Sequence, residues 1–171
     1  MKRHYKTRFP AANVSRLNED YATDTLFSDV PAHDDGIPGH GGCEMVQIYV
    51  GIRSHLTLAY PMKSEDQIIN TLQEMVRFWG APNNLKSDNA KVIHGNTVME
   101  FLRQYMIGSK FSEPYQQNQN PTERRIQDLK ADVAKCMDRT GTPAKFWLMC
   151  LLYLVYLTTI SLFSPMGRRL L

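Results

Sequence analysis

The segment FWLMCLLYLVYLTTISLF, residues 146–163, runs for 18 residues without a charged side chain. Such a stretch must leave water, and it has two ways to do so. It reaches the lower edge of the length that spans a bilayer. Otherwise it forms a core helix, which needs a partner layer. Thr158, Thr159 and Ser161 dilute its last third, and Thr142 with Pro143 supplies the N-cap and first-turn proline of a helix in a water-soluble protein. A buried helix over 143 to about 162 fits best, with a membrane anchor as the competing reading.

The preceding chain supplies elements for that layer. Residues 1–20 are basic and aperiodic, an extended arm or linker. YATDTLF (21–27) reads as a strand with Ala22, Asp24 and Leu26 on one face. The Gly- and Pro-rich stretch 31–42 can only be a loop. EMVQIYV and HLTLAY follow, joined by a short polar connection, and Val46, Ile48 and Val50 alternate as in an antiparallel hairpin.

A helix comes next. Ser64 and Gln67 have capping-box spacing, Ile68, Ile69, Leu72, Met75, Val76 and Trp79 share a face, and Gly80 and Pro82 stop the element. NLKSD (84–88) suits a parallel strand reached by that crossover. A helix over 96–107, a strand over 109–113 and helices over 121–138 and 143–162 complete the order. The expected class is therefore α/β: a ribonuclease-H-like mixed five-stranded sheet, with a three-strand antiparallel meander and two parallel strands, flanked by helices. The expected organisation is an arm over 1–20, a core over 21–163 and a short tail over 164–171.

With 171 residues, 43% of them hydrophobic, the chain can build one well-buried domain. A net charge of +3 does not by itself announce a nucleic-acid binder. The basic residues are clustered, however: Lys2, Arg3, Lys6 and Arg8 at the start, then Arg124, Arg125, Lys130, Lys135, Arg139 and Lys145. Clusters of this kind attract phosphate backbones, or are simply solvated helix faces. The three cysteines form no disulfide framework, which suits a reducing compartment. His33, His40 and Cys43 lack a recognisable zinc spacing. No apolar run follows the basic N-terminus, so a secretory signal is not expected.

Three carboxylates stand at the ends or middles of elements. Asp24 is mid-strand, where an unpaired carboxylate is expensive to desolvate. Asp88 ends the short strand, at the edge where parallel sheets commonly open onto a ligand. Glu123 opens the helix of PYQQNQNPTERRIQDLK (114–130). Each has a plainer explanation. Asp24 could face water at an edge, and Asp88 before Asn89 could be turn chemistry. Asn120, Pro121 and Glu123 could merely cap their helix. On that helix Ile126, Leu129, Val133 and Cys136 form the apolar stripe, and Glu123, Gln127, Lys130 and Ala134 line up beside it. A cap does not explain why Gln127 and Lys130 share the line.

TDTLF, SDNAK and PYQQNQNPTERRIQDLK, in this order, resemble the catalytic core of integrases from retroviruses and long-terminal-repeat retrotransposons. The resemblance spans roughly residues 21 to 157. That family carries an Asp, a second Asp and a downstream Glu, and Asp24, Asp88 and Glu123 fill those places. Two departures concern the loop before the helix. Asp88 and Glu123 are separated by 34 residues, one fewer than usual, and Ala90 stands where many members have glycine. The family's zinc-binding N-terminal and DNA-binding C-terminal domains have no counterpart, so the chain looks like a catalytic core cut from a polyprotein, or a decayed copy.

The resemblance implies DNA integration by phosphoryl transfer, with 3′-end trimming by water and strand transfer by a DNA 3′-hydroxyl. It implies two Mg²⁺ (or Mn²⁺) ions about 3.5 to 4 Å apart. Asp24 would bridge both, Asp88 would bind one and Glu123 the other. Gln119, Gln127 and Lys130, with Tyr115 and Asn118 on the same loop, would contact the DNA end. The residues themselves support Lys130 best, since a cation beside the carboxylates has an obvious phosphate partner. A homodimer or higher oligomer and a nuclear site of action, otherwise a cytoplasmic one, also follow from the resemblance, and the buried-helix reading of 146–163 implies no membrane partner. Three alternatives compete: a catalytically inactive nucleic-acid-binding remnant, a ribonuclease H-type nuclease, and a protein anchored in a membrane through 146–163.

Overall fold

The structure, a computed structural model, describes residues 7–87, 95–111 and 121–163. Five strands, β1 (Tyr21–Phe27), β2 (Met45–Gly51), β3 (Thr57–Met62), β4 (Asn84–Ser87) and β5 (Gly108–Phe111), form one sheet in the order β3-β2-β1-β4-β5. The β1–β2 and β2–β3 pairs are antiparallel, and the β1–β4 and β4–β5 pairs are parallel. Helix α1 (Ile68–Phe78) carries the chain from β3 to β4, α2 (Asn96–Gln104) lies between β4 and β5, and α3 (Pro121–Thr140) and α4 (Trp147–Phe163) complete the fold. This is the ribonuclease-H-like layout that the element order predicts, with β1 at its centre.

Strand alternation divides the core into two layers. Tyr21, Tyr49, Leu58 and Leu85 pack with Leu72, Met75 and Val76 of α1 and with Val98, Phe101 and Leu102 of α2. On the opposite face Leu26, Val46, Ile48 and Val50 meet Ile126, Leu129 and Val133 of α3 and Trp147, Leu148, Leu151 and Val155 of α4. Both faces of the sheet are therefore covered by helices.

The segment before β1 contributes to the first layer. Val14 and Leu17 pack against it, and Arg16 pairs with Ala81 through a parallel bridge. The Arg16 guanidinium donates to the carbonyls of Tyr105 and Met106, at 2.9 and 3.2 Å, satisfying backbone acceptors just after α2. That turn ends α2 at Gln104, short of the expected 107, with Met106 at φ +52°. At the end of α1, Gly80 sits at φ +116°, and a Cβ there would lie 2.7 Å from the Ser15 carbonyl oxygen. Gly80→Ala is expected to destabilise the fold by more than about 1 kcal/mol, read as a lower urea midpoint with an unchanged slope.

Two caps differ from expectation. Ser64 makes no side-chain cap bond. Gln67 Oε1 instead accepts from the Lys63 N–H at 2.8 Å, because a 3-10 turn over Glu65–Gln67 tightens the entry to α1. Thr142 does not cap α4 either. Its hydroxyl pairs with that of Thr140, and Pro143 precedes a 3-10 turn that leads into the helix.

Residues 144–162 are long and apolar enough to cross a membrane by length and composition. They nonetheless dock along one face, through Trp147, Leu148, Leu151 and Val155, while Met149, Tyr153, Tyr156, Leu157 and Ile160 are exposed. The buried helix expected from the sequence is thus buried on one side only. The loop before β2 is fastened to its start: Trp147 Nε1 donates to the Val30 carbonyl at 2.8 Å, and the His33 N–H donates to the Lys145 carbonyl at 2.7 Å.

Candidate metal and nucleic-acid site

Asp24 lies on the central strand, with Ile48 of β2 as its antiparallel partner. Its parity with Leu26 and Ile48 places it on the face covered by α3 and α4. Among the described residues the parallel pairing with β4 runs from Tyr21–Leu85 to Thr23–Ser87, and Asp24 is the next residue of β1. Asp24 lies toward the carboxyl-terminal ends of these parallel strands, the side on which α/β sheets bind ligands. The side chain is half-buried, and its Oδ1 accepts the Thr25 N–H at 2.8 Å. One oxygen of the carboxylate is thereby oriented by the backbone that carries it.

Glu123 is in the first turn of α3 and is also half-buried. Two anchors seat that turn on the Asp24 face of the sheet. Ile126 is buried in the second core layer, and Arg125 Nε donates to Thr57 Oγ1 at 3.2 Å. Thr57 is the register partner of Val50, which is in turn the partner of Ala22. The Arg125 anchor is therefore two strand spacings, about 10 Å, from the β1 row. Glu123 and Arg125 leave the helix on nearly opposite sides, since two residues correspond to about 200° of rotation. Gln127 and Lys130 are exposed and continue from Glu123 toward the carboxyl end of the helix, beside the buried Ile126, Leu129 and Val133.

Asp88, Tyr115, Asn118 and Gln119 lie outside the described residues, as do the Asn120 cap position and the tail 164–171. Asp88 follows Ser87, the last described residue of β4, directly in sequence. Among the described residues no group of three or more His, Cys, Asp or Glu side chains could hold a metal ion. His33, His40 and Cys43 go to separate partners: His33 packs edge-on against Phe146, His40 Nδ1 pairs with Asp35 at 2.9 Å, and the Cys43 thiol donates to the Gly39 carbonyl. The described donors of the candidate site, Asp24 and Glu123, offer hard carboxylate oxygens, the ligand type that suits Mg²⁺ or Mn²⁺.

Beneath Asp24, on the other face of the sheet, is a feature that residue spacing does not announce. Gln47 is buried, and its amide bonds both Thr23 and Thr25. The alternation of Val46, Ile48 and Val50 leaves Gln47 on the opposite face of the sheet. The one sequence signal that this face is covered is α1, whose apolar stripe needs a sheet face to pack on.

No family model matches the chain. Over 98 residues it is 30% identical to the Gag-Pro-Pol polyprotein of mouse mammary tumor virus (strain BR6), a match over 56% of this chain and 6% of that protein's length. Several solved structures share its fold, integrase chains among them. The HTLV-2 integrase catalytic core domain in complex with magnesium superposes with a TM-score of 0.60 at 13% identity, covering 81% of this chain and 83% of that one. The BIV integrase catalytic core gives 0.57 at 15%, with coverages of 79% and 81%. A chain of the simian T-cell lymphotropic virus intasome, solved with the PP2A regulatory subunit B56 gamma, gives 0.61 at 15% and covers 86% and 53%. The likeness first carried by three short motifs extends to the whole sheet and the helices on both of its sides: this chain has the fold of the retroviral integrase catalytic core.

Proposed function

We propose that this chain is the catalytic core of a DNA integrase, a metal-dependent polynucleotidyl transferase that trims the 3′ ends of retroelement DNA and joins them to target DNA. One observation carries the reading. Asp24 lies on the face of the central strand that α3 covers, one residue past Thr23, the partner of Ser87 in β4, and Glu123 is in the first turn of that same helix. The chain's match to part of a retroviral polyprotein and the magnesium complex of an HTLV-2 core with the same fold agree with it.

Asp24 and Glu123, with Asp88, would hold the metal. When bound, two divalent ions supply the positive charge that stabilises the attacking and leaving oxygens of an in-line displacement. The protein's own part is placement. The sheet fixes Asp24, the anchored first turn of α3 fixes Glu123, and the exposed line of Gln127 and Lys130 lies where a phosphate backbone can follow the helix. Tyr115, Asn118 and Gln119 belong to the same DNA contact. Dimeric and trimeric forms of the HTLV-2 core make self-association the expected state of this chain as well.

Supercoiled plasmid incubated with the protein and Mn²⁺ or Mg²⁺ tests the activity. Metal-dependent nicking, and joining of an added blunt duplex, are expected. Retention of DNA on the protein without any nicking would instead favour the inactive remnant. Cleavage confined to RNA–DNA hybrids would favour a ribonuclease H.

A further inference from the structure

We propose that Gln47 is a positioning residue for Asp24, a buried clamp on the far side of the strand. The inference rests on the functional reading of Asp24 given above. Strand alternation sends Asp24 to the α3 face and its two neighbours, Thr23 and Thr25, to the opposite one. Both neighbours end on the same side chain. Thr25 Oγ1 donates to Gln47 Oε1 at 2.8 Å, and Gln47 Nε2 donates to Thr23 Oγ1 at 2.5 Å.

The direction of these bonds is set by the surroundings. Thr23 Oγ1 gives its hydrogen to the Ile48 carbonyl at 2.9 Å, so its oxygen must accept from elsewhere. Only the NH₂ end of an amide can serve it, which leaves the amide oxygen facing Thr25. The amide therefore has one orientation, and each of its ends holds one side of Asp24.

Thr25 completes the connection. Its hydroxyl is held by Gln47, and its N–H is the donor to Asp24 Oδ1 at 2.8 Å. Rotating the Asp24 carboxylate away from its present direction gives up the bond to the Thr25 N–H, a donor that the clamp holds in place. An amide is an expensive way to fill this space. Gln47 is 3% exposed and borders a small cavity also lined by Ile68, Leu72, Leu85 and Val98, where an apolar side chain would need no partners. A packing role alone gives no reason for a two-ended hydrogen bonder at the residue paired with Thr25.

The test separates aim from stability. Asp24 χ1 is read from three-bond couplings to its side-chain carboxyl carbon in metal-free protein, and Mn²⁺ affinity is read by titration calorimetry. Four proteins are compared: wild type, Gln47→Met, Thr25→Val and Thr25→Ser. Gln47→Met keeps the volume and Thr25→Val keeps the shape, while each removes the bond. Both are expected to show an averaged Asp24 rotamer and an Mn²⁺ Kd raised about tenfold or more, in the range found for residues that orient metal ligands. Thr25→Ser, which retains the hydroxyl, is expected to keep the single rotamer and the wild-type Kd. A single Asp24 rotamer and unchanged affinity in Gln47→Met would overturn the clamp while leaving the integrase reading intact. Loss of affinity in Thr25→Ser equal to that in Thr25→Val would overturn it as well. Absence of Mn²⁺ binding by the wild type would overturn the functional reading itself, and the clamp's purpose with it.

Discussion

Asp24→Asn is expected to lower plasmid nicking and strand joining by at least about 100-fold, while the protein stays folded. Residues that merely orient metal ligands cost 10- to 100-fold when removed, and a ligand itself should cost no less. The substitution is nearly isosteric, and its amide oxygen can still accept the Thr25 N–H that Asp24 Oδ1 accepts at 2.8 Å. What it removes is the negative charge that a divalent cation needs. Asp128→Asn serves as the control. Asp128 is on α3, five residues past Glu123, and is exposed, so its loss should leave both reactions near wild type. Equal losses in the two variants would mean that the assay reports general acidity rather than a site.

The second large effect is on stability. Trp147→Ala should destabilise the protein by about 3 to 5 kcal/mol, a fall in Tm of roughly 10 °C. Trp147 is buried where the second core layer meets the loop before β2, and its Nε1 donates to the Val30 carbonyl at 2.8 Å. Truncation opens a cavity under α4 and leaves the Val30 acceptor without that donor. Tyr153 lies on the same helix but is 56% exposed, so Tyr153→Ser should shift stability by no more than about 0.5 kcal/mol. The contrast identifies which face of this charge-free helix holds the fold. A helix that worked mainly as a membrane anchor would not show it in detergent-free solution.

Much of this architecture was legible in the sequence because alternation and helical spacing are direct records of burial. Tyr21–Phe27 and the parallel β4 fall where the residues predict them: β1 alternates its side chains between the two faces of the sheet, and β4 turns Leu85 inward after the crossover helix. The helix ends were less legible. Whether Ser64 or Thr142 caps a helix depends on whether the first turn is 3-10 or α, and the spacing of polar residues does not encode that. The character of α4 was half legible: composition showed that it must leave water, but not that only one side of it would.

In the site, the facing of Asp24 and the stripe on α3 followed from periodicity alone. The anchoring of Arg125 on Thr57, across 68 residues of sequence, and the Gln47 clamp did not. Both are contacts between elements, and a single strand or helix carries no trace of them.

Anomalous diffraction from crystals soaked in Mn²⁺ tests most directly whether the three carboxylates share bound metal. Manganese peaks are expected in direct coordination, about 2.0 to 2.1 Å by the Mg²⁺-like geometry, with oxygens of Asp24, Asp88 and Glu123 sharing the bound ions. Peaks placed elsewhere, with these three carboxylates too far apart for any single ion to reach two of them, would contradict it.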